Sequence, residues 1–124
     1  MKLNLGQIVN SKDALQELLN EKLPIKIAFK VKEIFGAIDP KLGYYEEMRS
    51  KLIMGEYGEQ DGDSGNWKVK QSKMKEFVEE LKSLMSVELD LDITKVRLPE
   101  NILMTPSNVY LLGWMIDFED EENG

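Results

Sequence analysis

The chain carries 23 Asp and Glu side chains but no His and no Cys, so carboxylates are its main candidates for reactive chemistry. Without thiol or imidazole, the usual zinc, haem and blue-copper ligand sets are excluded, as are disulfides and every Ser-His-Asp or Cys-His nucleophile arrangement. Paired carboxylates can perform acid and base work unaided, which brings forward the adjacent pairs Glu46, Glu47 and Glu79, Glu80. Neighbours on a helix point apart, and a general acid needs one carboxyl with a raised pKa in a cleft, so both pairs read as solvated helix faces. The segment GEQDGDSGN, from Gly58 to Asn66, gathers Asp61, Asp63, Ser64 and Asn66 in a turn-rich stretch of the kind a hard cation uses. Counted from Asp61, a helix-loop-helix calcium site needs Gly where Asn66 stands and Glu where Ser72 stands, so the segment reads as a plain solvated loop. No G-x-x-x-x-G-K or G-x-G-x-x-G follows a strand, which sets aside a phosphate cradle. No metal and no cofactor is expected.

Contact chemistry has more to work with. Tyr44, Tyr45 and Arg49 cluster in sequence, and aromatic and Arg side chains dominate binding hot spots. The plainer reading buries Tyr45 in the core and pairs Arg49 with a nearby Glu. On the contact reading Tyr44, Arg49 and Trp114 are the anchors. Glu88, Asp90 and Asp92 repeat along one strand face about every 6.6 Å, a spacing that imitates a row of phosphates presented to a basic protein. The plain alternative is an acidic solvent face. With 16 basic against 23 acidic residues and a net charge of −7, direct nucleic-acid binding is disfavoured. Lys68, Lys70, Lys73 and Lys75 form a local basic patch, expected to pair with Glu88 and Asp90 across a sheet. Seven Met residues serve equally as core filler or as an adaptable contact surface.

The elements that must position these residues follow from periodicity and capping signals. Lys2 to Val9 alternates like a half-buried strand broken at Gly6, and Asn10 or Ser11 caps a helix whose stripe is Ala14, Leu15, Leu18, Leu19 and Leu23. Pro24 opens a second helix carrying Ile27, Val31, Ile34 and Ile38. Asp39-Pro40 repeats the cap-then-Pro device and predicts a third, from Pro40 to about Tyr57, joined to the second as an elbow or hairpin. Gly58 to Asn66 is the flexible loop. A short strand follows at Trp67 and Val69, and Ser72 caps a helix through Met85. Val87 to Thr94 alternates over eight residues as the clearest strand, with a bulge or change of direction near Thr94 and Lys95. Thr105-Pro106 caps a last helix with Val109, Leu112 and Ile116 on its apolar side. The longest apolar run, Val109 to Ile116, is far short of the roughly 20 residues that cross a bilayer, and Met1 to Asn10 lacks the core of a signal peptide. A cytoplasmic protein without membrane contact is expected. At 124 residues the chain supports one core, read as a single α+β domain over 1–118 and an acidic C-terminal tail over 119–124. Its four or five helices, including the elbow or hairpin, pack on a small, mainly antiparallel sheet built from the N-terminal, Trp67 and Val87 strands.

The order MKLNLGQIVN, ALQELL, KLPIKIAFKVKEI, YYEEMRSKLI, a glycine-acid loop, VELDLDITKVRLP and TPSNVYLL resembles a small family of proteins from tailed phages and prophages of low-GC Gram-positive bacteria, whose function is uncharacterised. The resemblance covers nearly the whole chain. Leu23-Pro24-x-Lys26-x-Ala28 and Val87-x-Leu89-Asp90 are its most specific elements, and the acidic tail after Phe118 is longer than typical. It implies phage or prophage origin and action inside an infected bacterium, and it brings no catalytic residue with it. With nucleophile and metal chemistry excluded, the expected function is that of a non-enzymatic accessory protein working by protein-protein contact. It would modulate a host or defence protein, or assist virion assembly. A second expectation is an acidic nucleic-acid mimic that occupies the basic groove of a nuclease or repressor through Glu88, Asp90, Asp92 and the tail. A carboxylate-dependent hydrolase comes third.

Overall fold

The computed structural model describes residues 1–118. In chain order the elements are β1 (Lys2–Asn4), α1 (Leu5–Leu19), α2 (Ile25–Ile53), β2 (Gly58–Gln60), β3 (Trp67–Val69), a 3-10 turn (Gln71–Lys73), α3 (Met74–Met85), β4 (Glu88–Asp90) and α4 (Pro106–Leu111). The α+β class is as expected, with four α-helices and antiparallel strand pairs among the described residues. The acidic tail over 119–124 lies outside them.

α1 begins six residues before the expected cap. Asn4 Oδ1 accepts the backbone N–H of Gln7 at 2.8 Å and Gln7 Oε1 accepts that of Asn4 at 2.9 Å. This reciprocal pair satisfies two free donors at the helix start. Leu5, Ile8, Ser11, Ala14, Leu15 and Leu18 then fall on one buried face, which outweighs the local alternation that suggested a longer strand. β1 is thereby cut to three residues. It pairs with β4 in the register Lys2↔Asp90, Leu3↔Leu89 and Asn4↔Glu88, and β4 extends no further than this short partner.

The elbow at Asp39-Pro40 is not formed. α2 runs unbroken through Pro40, which points to solvent. Val31, Ile34, Ile38, Leu42 and Tyr45 make one buried stripe that spans the proline, so interrupting the helix there would expose half of it. The ring sits on the exposed side, where water can satisfy the freed carbonyl of Gly36 and a helix can curve. The turn between packed helices lies instead at 20–24, between α1 and α2.

Among the described residues there are two separate two-stranded sheets rather than one. β3 pairs with β2, a strand within the segment expected to be loop, in the register Gly58↔Val69, Glu59↔Lys68 and Gln60↔Trp67. Lys68 therefore faces Glu59, not Glu88 or Asp90. The hairpin turn is held by Asp61, whose backbone N–H and C=O bond Asn66 and Gly65, and by Gly65 at φ 74°. The change of direction expected after Ile93 is real: Val96 leaves the β4 line and makes a parallel bridge to Ile116. Its N–H donates to Met115 O and its carbonyl accepts from Asp117 N–H, both at 2.8 Å. Thr105 caps α4 as expected, while no side chain caps α3, which is entered through the 3-10 turn rather than from Ser72.

Gly58 is the tightest of the described glycines, because a Cβ there would lie 1.4 Å from the carbonyl oxygen of Ile53. Gly58→Ala must push the hairpin off the end of α2 and is expected to cost about 2 kcal/mol or more. Gly62→Ala, where a Cβ meets nothing within 4 Å, is the matched control. Urea denaturation, with the Trp67 indole resonance as local reporter, compares the two.

Candidate functional site

An open groove of about 650 Å³ runs between the start of α1, the end of α3 and the segment after α4. Trp114 forms part of its wall. Its ring is half-buried, and its Nε1–H donates to Ser11 Oγ at 3.2 Å. Ser11 is fully buried on α1 and its hydroxyl donates to the carbonyl of Ile8 at 3.1 Å, so one hydroxyl both satisfies itself and fixes the indole. α4 is also tied to the last turn of α1, away from the groove, by Asn108 Nδ2, which donates to Glu17 Oε2. Tyr110 stands beside the groove at 85% exposure. Met85 at the end of α3 and Gln7 and Asn10 on α1 also line it. The capping box uses the oxygens of Asn4 and Gln7, which leaves their NH2 groups available, and the Asn10 amide has no hydrogen-bond partner among the described residues. The groove thus offers a fixed aromatic wall, a free tyrosine and a row of amides.

The sequence-derived anchors do not meet. Tyr44 is 59% exposed on α2, with Lys41 Nζ 5.7 Å from its ring centre. Arg49 is also exposed on α2, but five residues away it points about 140° to the other side. It has no ion-pair partner among the described residues, whereas Tyr45 is buried as the plainer reading holds. Trp114 lies in the groove, which no α2 residue lines. Tyr110, Gln7 and Asn10 were missed as site residues. Tyr110 has a usable signal, an aromatic in the i−4 position to Trp114 on an otherwise apolar run. The local pattern of Gln7 and Asn10 reads as strand and cap.

Glu88, Asp90 and Asp92 are all exposed. The amino terminus of Met1 lies 3.5 Å from the Asp90 carboxylate, and Lys2 is the register partner of Asp90 without forming an ion pair with it. Glu46, Glu47, Glu79 and Glu80 point to solvent. Among the described residues no group of three or more His, Cys, Asp and Glu is placed to hold a metal ion, and no helix is long and apolar enough to cross a membrane. Two groups titrate away from their ordinary values. The Asp63 backbone N–H, first, and the Ser64 hydroxyl, with the charge of Lys68, hold Asp61 below the usual carboxylate range. Partial burial, with the carboxylates of Glu56, Glu80 and Glu76 nearby, pushes the Tyr57 phenol up. Asp61 makes a turn within the hairpin, bonding Asp63 N–H at 3.0 Å, rather than a reactive centre.

Comparison with known protein families, with curated proteins and with solved structures finds no match to this chain.

Ser11→Ala removes the hydrogen-bond acceptor of the Trp114 indole and is expected to cost about 1–3 kcal/mol in urea unfolding, with loss of the indole's shielding from solvent in fluorescence. Because the Asp61 pKa is lowered in the folded state, its turn is intact above the ordinary value of 3.8 and loosens as pH falls through the lower folded value. An NMR titration of the Asp61 carboxyl should therefore show a midpoint below 3.8.

Proposed function

We propose that this is a non-enzymatic accessory protein of phage or prophage origin, acting inside the infected bacterium by binding another protein through the Trp114 groove. The observation that carries the reading is the pairing of a pre-positioned indole with an 85% exposed Tyr110 beside a row of unused amides. An aromatic wall whose rotamer is already fixed loses little entropy when a partner side chain packs on it. The amides of Asn10 and Gln7 can hydrogen-bond the backbone of a segment laid alongside, so the fitting partner is an extended, partly apolar stretch of a host, defence or virion protein. The phage setting rests on the sequence resemblance alone.

The acidic-mimic reading draws less support, since the amino terminus of Met1 pairs with the middle carboxylate of the Glu88, Asp90, Asp92 row. Affinity capture from host lysate at low and high salt separates the two. A salt-resistant protein lost with Tyr110→Ser or Asn10→Ala, but kept with Tyr44→Ala or Arg49→Ala, is the expected result. A basic nucleic-acid enzyme held at low salt alone, and released by Asp92→Asn with Glu88→Gln, would favour the mimic instead.

A further inference from the structure

The outer face of α2 is exposed from Ile25 to Glu47, and its last turn stands beside the β2–β3 hairpin, where Ser50 and Met54 border a cleft with Gly65, Asn66 and Trp67. At about 100° per residue, Ile25, Phe29, Lys32, Gly36, Gly43 and Glu47 share one stripe, directly opposite the buried one, and Met54 continues it just past the helix end. Ile25 is 83% exposed, Phe29 63% and Met54 58%, large apolar side chains left mostly in water among the described residues. Between them lie the exposed Lys32 and Glu47 and the exposed glycines Gly36 and Gly43. A Cβ at Gly36 or Gly43 would meet nothing within 4 Å, so the fold of one chain supplies no packing reason for glycine, a poor helix former, at either position.

The arrangement has a symmetry. About the midpoint between Asp39 and Pro40, Gly36 is mirrored by Gly43, Lys32 by Glu47, Phe29 by Ser50 and Ile25 by Met54. A twofold contact requires that a patch complement itself, each position meeting its mirror on the second copy. We infer that α2 pairs antiparallel with α2 of a second copy of this chain, crossing at Asp39 and Pro40. The glycines let the two backbones approach, the apolar ends cover one another, and Lys32 meets Glu47 of the other copy twice. Neither Lys32 nor Glu47 has an ion-pair partner among the described residues, so both charges are available. Asp39 faces its own copy beside the axis and opposes association. A 29-residue helix is about 43 Å long and about 10 Å wide, which buries roughly 900 Å² over both copies. That is below the ~1,200 Å² of a standard stable interface, so the dimer is weak and reversible. The pairing uses no residue of the Trp114 groove and stands or falls apart from the groove reading.

Sedimentation equilibrium of the full chain from about 10 µM to about 1 mM should show the mass rise from monomer toward dimer. Lys32→Glu and Glu47→Lys should each weaken association severalfold and together restore it. Gly36→Arg should abolish it while raising the melting temperature, because Arg is the better helix former and clashes with nothing in the monomer. Since the chain has no Cys, Gly36→Cys and Gly43→Cys each carry a single thiol. Mixed together under mild oxidation they should join about tenfold faster than either alone, as like positions sit about 10 Å out of register. A monomer at every concentration, wild-type association by Gly36→Arg, or equal rates of disulfide formation would each overturn the pairing.

Discussion

Everything in this fold is arranged around the burial of α1. Leu5, Ile8, Ala14, Leu15 and Leu18 must all leave water, and Ile8 and Leu15 do so completely. Side chains at three- and four-residue spacing cover a stripe of one helix, and covering them takes neighbours on several sides. α2, α3 and α4 each pack on α1, and β1 leads directly into it. The two small sheets are too short to organise a core by themselves. Helix packing sets the frame, and the strands close its edges, with Leu5 N–H bonded to Val87 O and the Met1 ammonium to Leu91 O.

One polar group sits inside that packing. Ser11 has no exposure, yet its hydroxyl is fully used, giving a proton to Ile8 O and taking one from Trp114. An unpaired hydroxyl or indole N–H at this depth would be destabilising, so each licenses the burial of the other. The same bond links α1 to the chain's last described segment, where Leu112 and Met115 are also wholly buried. The groove follows from this. With Trp114 drawn in against α1, Tyr110 is left standing out one helical turn earlier, and the floor between them remains open.

α2 shows burial overriding local preference. A proline inside a helix sacrifices a hydrogen bond and strains the backbone, and Asp39-Pro40 would by itself start a new helix. The stripe from Val31 to Tyr45 stays in register across it, and Pro40 lies on the side where the lost bond is made up by water. The cost falls on the outward face, as do those of Gly36 and Gly43. The unfavourable residues of this helix are thus gathered on the face that the monomer does not pack.

Residue types and short spacings were enough for some conclusions. The absence of His and Cys, the α+β class, the buried stripe of α2 and the Ala14, Leu15, Leu18 part of that of α1, the Thr105 cap and the burial of Tyr45 all follow from chemistry carried within a few residues, whereas Leu19 is exposed. What sequence could not decide was which of two locally acceptable patterns would win, or which elements would meet. Asn4 or Ser11 as cap, break or continuation at Pro40, and Glu59 or Glu88 opposite Lys68 each depended on a partner elsewhere in the chain. The groove was illegible for the same reason: Ser11 and Trp114 are 103 positions apart, and no local pattern shows that a hydroxyl on one helix face will receive that indole. Local structure is decided by capping and periodicity, whereas sites are decided by where the burial of several stripes at once brings distant side chains together.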